Sequence, residues 1–121
     1  MDFNNKNGIS VSRSGDRETK ITSRDIMFFG DVFIDNLYLG KSFQHLKIAK
    51  MSFNLGARTE WQMHSDERIL IITSGSGWVQ EWGDSIKLVQ TGDIVYILPD
   101  IKYWYGATDK SSMNNILLSR S

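Results

Sequence analysis

Cysteine is absent from the 121 residues, and the basic and acidic side chains cancel at 14 each, so the chain has no net charge. The lack of cysteine excludes thiolate metal sites, thiol nucleophiles and disulfides. The balanced charge argues against both the basic footprint of a nucleic-acid-binding protein and the polybasic patch of a membrane-surface protein. We therefore expect neither nucleic acid nor a membrane among the partners.

Long apolar runs are also missing. No run approaches the roughly 20 apolar residues that a membrane-spanning helix needs. The chain does not open on a charged segment followed by an apolar one, which is the pattern of a secretory signal. A soluble, cytoplasmic protein is the resulting expectation.

Hydrophobic residues make up 40% of the chain and aromatic residues 12%, which is enough for a real core. A chain of this length forms one domain and is too short for two independent cores. Residues 1–24 are polar, and we interpret them as an N-terminal arm with one short strand around Ile9 and Val11. Residues 25–121 are expected to form the folded domain.

Short apolar stretches recur from residue 25 onwards. They are IMFFGDVFI, HLKIAKMSF, RILIIT, GWVQEW, SIKLVQ, DIVYIL, KYWYGA and NNILLS. Breaks with glycine or aspartate separate them, as at residues 54–56, 82–84 and 91–93. Many short strands with regular turn signals predict an all-β sandwich or barrel. The Ser-Gly-Ser-Gly at residues 74–77 lacks the Lys-Ser/Thr ending of a phosphate loop, so we predict a hairpin turn there.

Two pairs of side chains share a face in this pattern, because side chains alternate across a strand. Gln62 and His64 point the same way, and so do Tyr103 and Tyr105. A barrel of about eight strands has room for one small ligand, into which both pairs could converge. Periodicity alone favours a simpler interpretation, in which His64 is a hydrogen-bonded polar residue and the tyrosines belong to the core.

The spacing around His64 is more specific than its periodicity. Gly56, Gln62, His64, Arg68 and Gly75 follow the spacing of the first cupin motif, G-x5-H-x-H-x3-E/Q-x6-G. The segments LGARTEWQMH, ITSGSGWVQEWG and GDIVYILPDIKYWYGAT resemble small single-domain cupins related to the bacterial manganese-dependent hydroxynitrile lyases and to cupins associated with carboxymuconolactone decarboxylases. The resemblance covers roughly residues 25–121. It implies the cupin fold, an antiparallel jelly-roll-like barrel also called a double-stranded β-helix.

The same resemblance shows an altered metal site. The subgroup places His, His, Gln and His around its metal, and the matching positions here are Gln62, His64, Arg68 and Tyr103. Two further pocket histidines of the family match Tyr105 and Asn115. Arginine has no lone pair to offer a cation, so we expect no metal and no other cofactor. A metal would need Arg68 to turn outward and Glu67 or Asp66 to turn inward.

Three functions stay open on these residues. The first is a metal-independent small-molecule enzyme of the isomerase, epimerase, lyase or cyclase type, acting on an anionic or carbonyl-bearing substrate. The second is a non-catalytic small-molecule-binding cupin, such as a sensor or accessory protein. The third is a structural dimer with a filled barrel. The resemblance also implies a homodimer, since small cupins often pair with their N-terminal strands exchanged between protomers or packed across the interface.

The candidate residues divide by chemistry. The expected catalytic residues are His64, Tyr103 and Tyr105, and the expected substrate-binding residues are Gln62, Arg68, Asn115, Trp61 and Trp78. Histidine titrates near neutral pH and so suits proton transfer. A buried guanidinium requires a partner, which is either a ligand or an internal carboxylate. The internal candidates are Asp66, Glu67, Glu60 and Glu81.

Overall fold

The computed structural model describes residues 8–21, 28–38 and 45–120. Within them, the strands are β1 (Thr19–Ile21), β2 (Phe28–Phe29), β3 (Val32–Tyr38), β4 (Leu46–Phe53), β5 (Arg58–Thr59), β6 (Arg68–Glu81), β7 (Lys87–Gln90), β8 (Ile94–Ile97), β9 (Tyr103–Ala107) and β10 (Met113–Arg120). A 3₁₀ turn at Ser14–Asp16 precedes them. No helix in this part of the chain is long and apolar enough to cross a membrane.

The strands form two antiparallel sheets that share β6. The first sheet has the order β1-β3-β4-β10-β6-β8, and the second has the order β2-β5-β9-β6-β7. The 14 residues of β6 pair with β8 through residues 68–71 and with β7 through residues 76–79. One strand therefore closes the two sheets into a nearly complete barrel, which confirms the predicted all-β fold class.

The hairpin turn predicted at residues 74–77 is wrong, because β6 runs straight through them. A Cβ on Gly75 would collide with the carbonyl oxygen of Ser112, and one on Gly77 would collide with the Met113 sulfur and the Gly106 carbonyl oxygen. Gly75 also has a φ of 75°, a conformation that favours glycine. These glycines let neighbouring strands approach where β6 changes sheets, and the chain does not reverse there.

The N-terminal segment also differs from expectation. Ile9 and Val11 lie in no strand and are 82% and 58% exposed. The strand of this segment is β1, which pairs with β3 of the same chain. Arg17 Nε donates a hydrogen bond to Asp35 Oδ1 on β3 at 3.2 Å, which anchors the segment to the sheet edge. The boundary expected at residues 24 and 25 lies outside the described residues, and strand exchange between protomers stays a prediction.

The inner faces of the two sheets carry the core. Along β6, Leu70 and Ile72 face inward with Arg68, and along β4 Met51 and Phe53 do the same. The fully buried side chains include Phe53, Leu70, Ile72, Met113, Val32 and Asn115. The apolar residues fill one end of the barrel, and the polar ones collect toward the other end.

The outer face of the first sheet is apolar as well. Two cross-strand rows follow from the registers of β4, β10, β6 and β8. They are Ile48–Leu118–Ile69–Tyr96 and Lys50–Ile116–Ile71–Ile94. Tyr96 is 72% exposed and Ile94 is 48% exposed. A sheet that is apolar on both faces is typical of one that is covered on both faces.

Candidate functional site

A cavity of about 290 Å³ opens between the two sheets. Its lining residues are Phe28, Ile34, Asn36, Lys47, Ile48, Ala49, Met51, Thr59, Gln62, Arg68, Tyr105, Leu117 and Ser119. Among the described residues, this lining holds two cationic side chains, those of Lys47 and Arg68, and no carboxylate. The structure therefore brings Gln62, Arg68 and Tyr105 together, as the sequence predicted.

The segment that carries Gln62 and His64 is tied to β9 through the main chain. Gln62 N–H donates to Tyr103 O at 2.8 Å, and Tyr103 N–H donates to Gln62 O at 2.9 Å. The next link is between side chains, where His64 Nε2–H donates to Gln62 Oε1 at 2.7 Å. With the proton on Nε2, the lone pair of a neutral imidazole lies on Nδ1. His64 is thus held beside the cavity through Gln62, although it does not line the cavity itself.

His64 titrates below its ordinary range. Burial lowers its pKa, the nearby Arg68 charge lowers it further, and Asp66 acts in the opposite direction. The imidazole is therefore neutral at pH 7. Its ring also meets the ring of Tyr103 edge to face, with centroids 6.3 Å apart.

Arg68 begins β6 and its side chain turns inward, with 18% of it exposed. Its Nε is buried and makes no hydrogen bond to any residue that the structure describes. Asp66 is the internal carboxylate near it, at 3.8 Å from Nε, and Asp66 Oδ2 also accepts the main-chain N–H of Arg120 at 3.0 Å. Glu67 pairs with the Arg120 guanidinium instead, at 3.0 Å. The guanidinium of Arg68 is therefore only partly paired.

Two buried tyrosines stack behind Arg68. The Tyr103 and Tyr105 rings lie 6.3 Å apart and 16° from parallel. Burial raises the pKa of Tyr103 to about 12, against the opposing effect of Arg68. Burial raises the pKa of Tyr105 still more. Both hydroxyls therefore stay protonated. The Tyr103 oxygen accepts from the Arg68 guanidinium, and the Tyr105 hydroxyl is a donor.

The two hydroxyl groups have different surroundings. Tyr105 donates to the weak acceptor Met51 Sδ at 3.1 Å, so a better acceptor in the cavity would take this hydrogen bond. Tyr103 lines a neighbouring cavity of about 290 Å³ instead, together with Glu81 and Ile97. Tyr103 touches the first cavity through Arg68 and Tyr105.

Asn115 lies on the same face of β10 as Leu117 and Ser119, which line the cavity. It is 0% exposed. Neither its Nδ2 nor its Oδ1 has a hydrogen-bond partner among the residues described. Such an unpaired buried amide costs free energy, and its place beside Tyr105 makes it part of the site.

The two tryptophans predicted to bind substrate lie elsewhere. Trp61 packs edge to face on Trp82, at 4.9 Å between centroids, and on Trp104, at 6.5 Å. Trp78 alternates with the core residue Val79 and therefore points to the outer face of β6. Neither Trp61 nor Trp78 lines the cavity that holds Arg68. Alternation from the inward-facing Gln62 would already have placed Trp61 outside.

Sequence reasoning also missed a cavity residue. Lys47 lies on β4 and shares a face with Ala49 and Met51, which line the cavity too. The signal was the alternation within HLKIAKMSF, but the motif comparison drew attention only to residues 56–75 and 92–105. Lys47 adds a second positive charge to the cavity.

The residues present do not fit a divalent metal. Arg68 occupies one ligand position with its guanidinium turned inward, and Tyr103 occupies another as a neutral phenol. Among the described residues no group of three or more His, Cys, Asp or Glu side chains could hold a metal ion. Such metals prefer imidazole and carboxylate or carbonyl oxygen donors, and the one imidazole here already donates to Gln62.

The chain is similar in sequence to two known proteins and in structure to a cupin-like protein. No protein-family model matches the chain. It is 34% identical over 91 residues to the (R)-mandelonitrile lyase of Granulicella tundricola, which is 75% of this chain and 70% of that protein. It is 39% identical over 54 residues to the HTH-type transcriptional activator RhaR of Mannheimia succiniciproducens, which is 45% of this chain and 19% of the activator. A crystal structure of a cupin-like protein from Thermotoga maritima superposes with a TM-score of 0.74 and 32% identity, over 77% of this chain and 71% of that chain.

The electrostatics of His64 lead to a testable prediction. In an NMR titration its imidazole should have a pKa below 6.5. Arg68→Met should raise this pKa because a repelling charge is removed, although burial still holds it down. Asp66→Asn should lower it. Since the folded-state pKa lies below the unfolded value, the contribution of His64 to stability is present above pH 6.5 and is lost as pH falls through the folded-state pKa.

Arg120→Met is the matched control for that titration, because the Arg120 guanidinium pairs with Glu67. It should leave the His64 pKa unchanged. An equal effect of Arg68→Met and Arg120→Met would show that His64 senses only the overall charge, and would contradict the arrangement described.

Proposed function

The chain belongs to the cupin family as a small cupin, and from that premise we propose that it is a metal-independent enzyme of the lyase, isomerase, epimerase or cyclase type. Family membership makes it a cupin enzyme or a small-molecule-binding cupin. The proposed substrate is a small anionic or carbonyl-bearing molecule. The observation that carries this is the partly paired Arg68, which lines a cavity whose described lining residues include no carboxylate.

Binding starts from Arg68. A guanidinium can hold a carboxylate or an enolate with two parallel hydrogen bonds, and its planar fork makes that contact directional. Its 3.8 Å separation from Asp66 is too long for a hydrogen bond, and its Nε has no partner among the described residues. The guanidinium also interacts with the Tyr103 side chain, so a ligand would share the fork with Tyr103. The Gln62 amide and the Tyr105 hydroxyl line the same cavity and supply further polar contacts.

Proton transfer is assigned to His64. A substrate that extends from the cavity past Gln62 would meet the neutral imidazole, whose Nδ1 lone pair then removes a proton from the carbon next to the substrate carbonyl group. The electron pair moves onto the carbonyl oxygen, where Arg68 and the Tyr105 hydroxyl stabilise the negative charge. The protonated imidazole then returns the proton at another position or to a leaving group. Tyr103 helps by packing against His64 and Arg68.

A second candidate is a ligand-sensing module without catalysis. It is favoured by the 54-residue match to a transcriptional activator. The two candidates differ in what His64 does. In the enzyme, His64→Asn abolishes turnover of a bound substrate and leaves its affinity nearly unchanged. In the sensor, a bound ligand is recovered intact from the wild-type protein.

The role of Arg68 can be measured with small carboxylates and keto acids as probes. Arg68→Met keeps most of the stem but removes the charge and the fork. It should cost about 1.5 to 3 kcal/mol of binding free energy, the range for a hydrogen bond to a charged group. Calorimetric titration measures this cost. Arg58→Met is the control, since the Arg58 guanidinium lies outside the cavity over the rings of Phe29 and Trp104. Equal affinity in wild type and Arg68→Met would refute the assignment.

Metal independence has its own test. Wild-type protein expressed without a tag and with manganese, zinc and iron supplied should carry well under one ion per chain after dialysis. The triple variant Gln62→His, Arg68→Gln, Tyr103→His should gain metal, because it removes the repelling charge and adds two imidazoles. Elemental analysis of both proteins gives the answer. Stoichiometric metal in the wild type, with His64 as a ligand, would overturn the proposal.

We also propose a homodimer formed through the apolar outer face of the first sheet. This face spans four strands, and its two rows carry seven apolar or aromatic side chains and one lysine, Lys50. A second copy offers the same apolar face, and the chain has no net charge to oppose self-association.

Light scattering should give a mass of about twice 13.9 kDa for the wild type. Tyr96→Glu should give the monomer, because it places a charge within the contact. Tyr96 is 72% exposed in one chain, so folding should survive. Leu55→Glu is the control, at 61% exposure in a turn away from this face. A monomeric wild type, or a Tyr96→Glu dimer, would show that this face is not the interface.

A further inference from the structure

Three polar side chains follow one another across neighbouring strands at the cavity. Lys47 on β4 pairs with Ser119 on β10. On the other side of β10, Leu118 pairs with Ile69 on β6. Because these strands are antiparallel, the next residue of β10, Ser119, lies opposite Arg68. All three residues line the cavity. With strands about 4.8 Å apart, the two cationic residues are separated by about 10 Å at the backbone, with a hydroxyl between them.

The positive charges of Lys47 and Arg68 are only partly compensated by negative side chains. Lys47 makes no ion pair with any residue in the described ranges, and the one carboxylate near Arg68 is Asp66, which also accepts the Arg120 N–H. Two positive charges facing one small cavity repel each other, and this repulsion grows as water is displaced. A ligand with a single negative charge would leave one of the two cations uncompensated. A ligand with two would neutralise both.

We infer that the cavity takes a small ligand with two acidic groups, of the dicarboxylate class. One carboxylate lies against the Arg68 fork, and the second lies against the Lys47 ammonium. The Ser119 hydroxyl, buried at 8% exposure, donates to a carboxylate oxygen of the ligand. The backbone span of about 10 Å leaves room for two acidic groups that are joined by a short carbon chain.

The two cations have different tasks in this arrangement. Arg68 is mostly buried and gives a directional, two-point contact. Lys47 is exposed at the cavity mouth and acts as a hydrated point charge. Its attraction is therefore screened by salt more than that of Arg68. The second carboxylate should thus contribute an affinity that falls steeply with ionic strength. This inference rests on the proposed function, since it names the substrate class of the same site.

The test compares the binding of glutarate with that of butyrate, which has one carboxylate and lacks the second carboxylate of glutarate. Calorimetric titration at low and at physiological ionic strength measures both affinities in four proteins. These are wild type, Lys47→Gln, Arg68→Met and the control Lys50→Gln. Lys50 is also on β4 but points to the outer face. Lys47 is exposed, so its substitution should leave folding intact, and a circular dichroism melt checks this.

Wild type and Lys50→Gln should bind glutarate at least about tenfold more tightly than butyrate at low salt, a difference of one charge-assisted contact. Lys47→Gln should lose this preference and leave butyrate affinity unchanged. Arg68→Met should weaken the binding of both glutarate and butyrate.

Two failures are distinguishable. If both acids bind through Arg68 but Lys47→Gln keeps the preference for glutarate, or if no preference exists, the dicarboxylate inference is wrong and the proposed function stands. If neither acid binds the wild type, or Arg68→Met changes neither affinity, both the inference and the proposed anionic substrate are wrong.

Discussion

The continuity of β6 is the constraint on which the rest of the molecule depends. A single strand of 14 residues belongs to both sheets, so the inner faces of the sheets meet at a fixed angle along it. Gly75 and Gly77 make this possible, because any side chain there would push away the strands that pack against the crossing. Arg68 lies at the start of this strand, and its inward direction is therefore set by the same registers that hold the core residues Leu70 and Ile72.

That placement explains how the site works electrostatically. A guanidinium at the end of a core-facing row is costly to bury unless it is paired, and Asp66 at 3.8 Å compensates it only in part. The remaining attraction is directed into the cavity. The positive charge of Arg68 lowers the pKa of His64, in addition to the effect of burial, and favours the charged form of Tyr103. One fixed charge therefore influences both residues. A bound anion would relax all of these effects at once.

The sequence predicted the fold correctly, and it indicated which residues lie near Arg68. The breaks at residues 54–56 and 91–93 are turns in which Gly56 and Gly92 adopt positive φ, and the motif spacing brings Gln62 and Arg68 into one cavity. Gly75 was misinterpreted because a glycine that permits close strand packing looks the same in sequence as one that permits a turn. The alternation within β4 puts Lys47 on the same face as Met51, but only the pairing of β4 with β10 shows that this end of the face lines the cavity. Such long-range registers are not visible in a single sequence.

The two main-chain hydrogen bonds that join Gln62 and Tyr103 have a consequence for how such a protein changes over time. They use only backbone groups, so they hold both positions in place whatever side chains stand there. The relative position of these two residues is therefore set by peptide groups and not by the side chains that carry the chemistry. A few substitutions at such positions can replace one kind of reactive centre by another while the backbone geometry is kept, provided that the new side chains also fill the space of the buried ones, such as Tyr103.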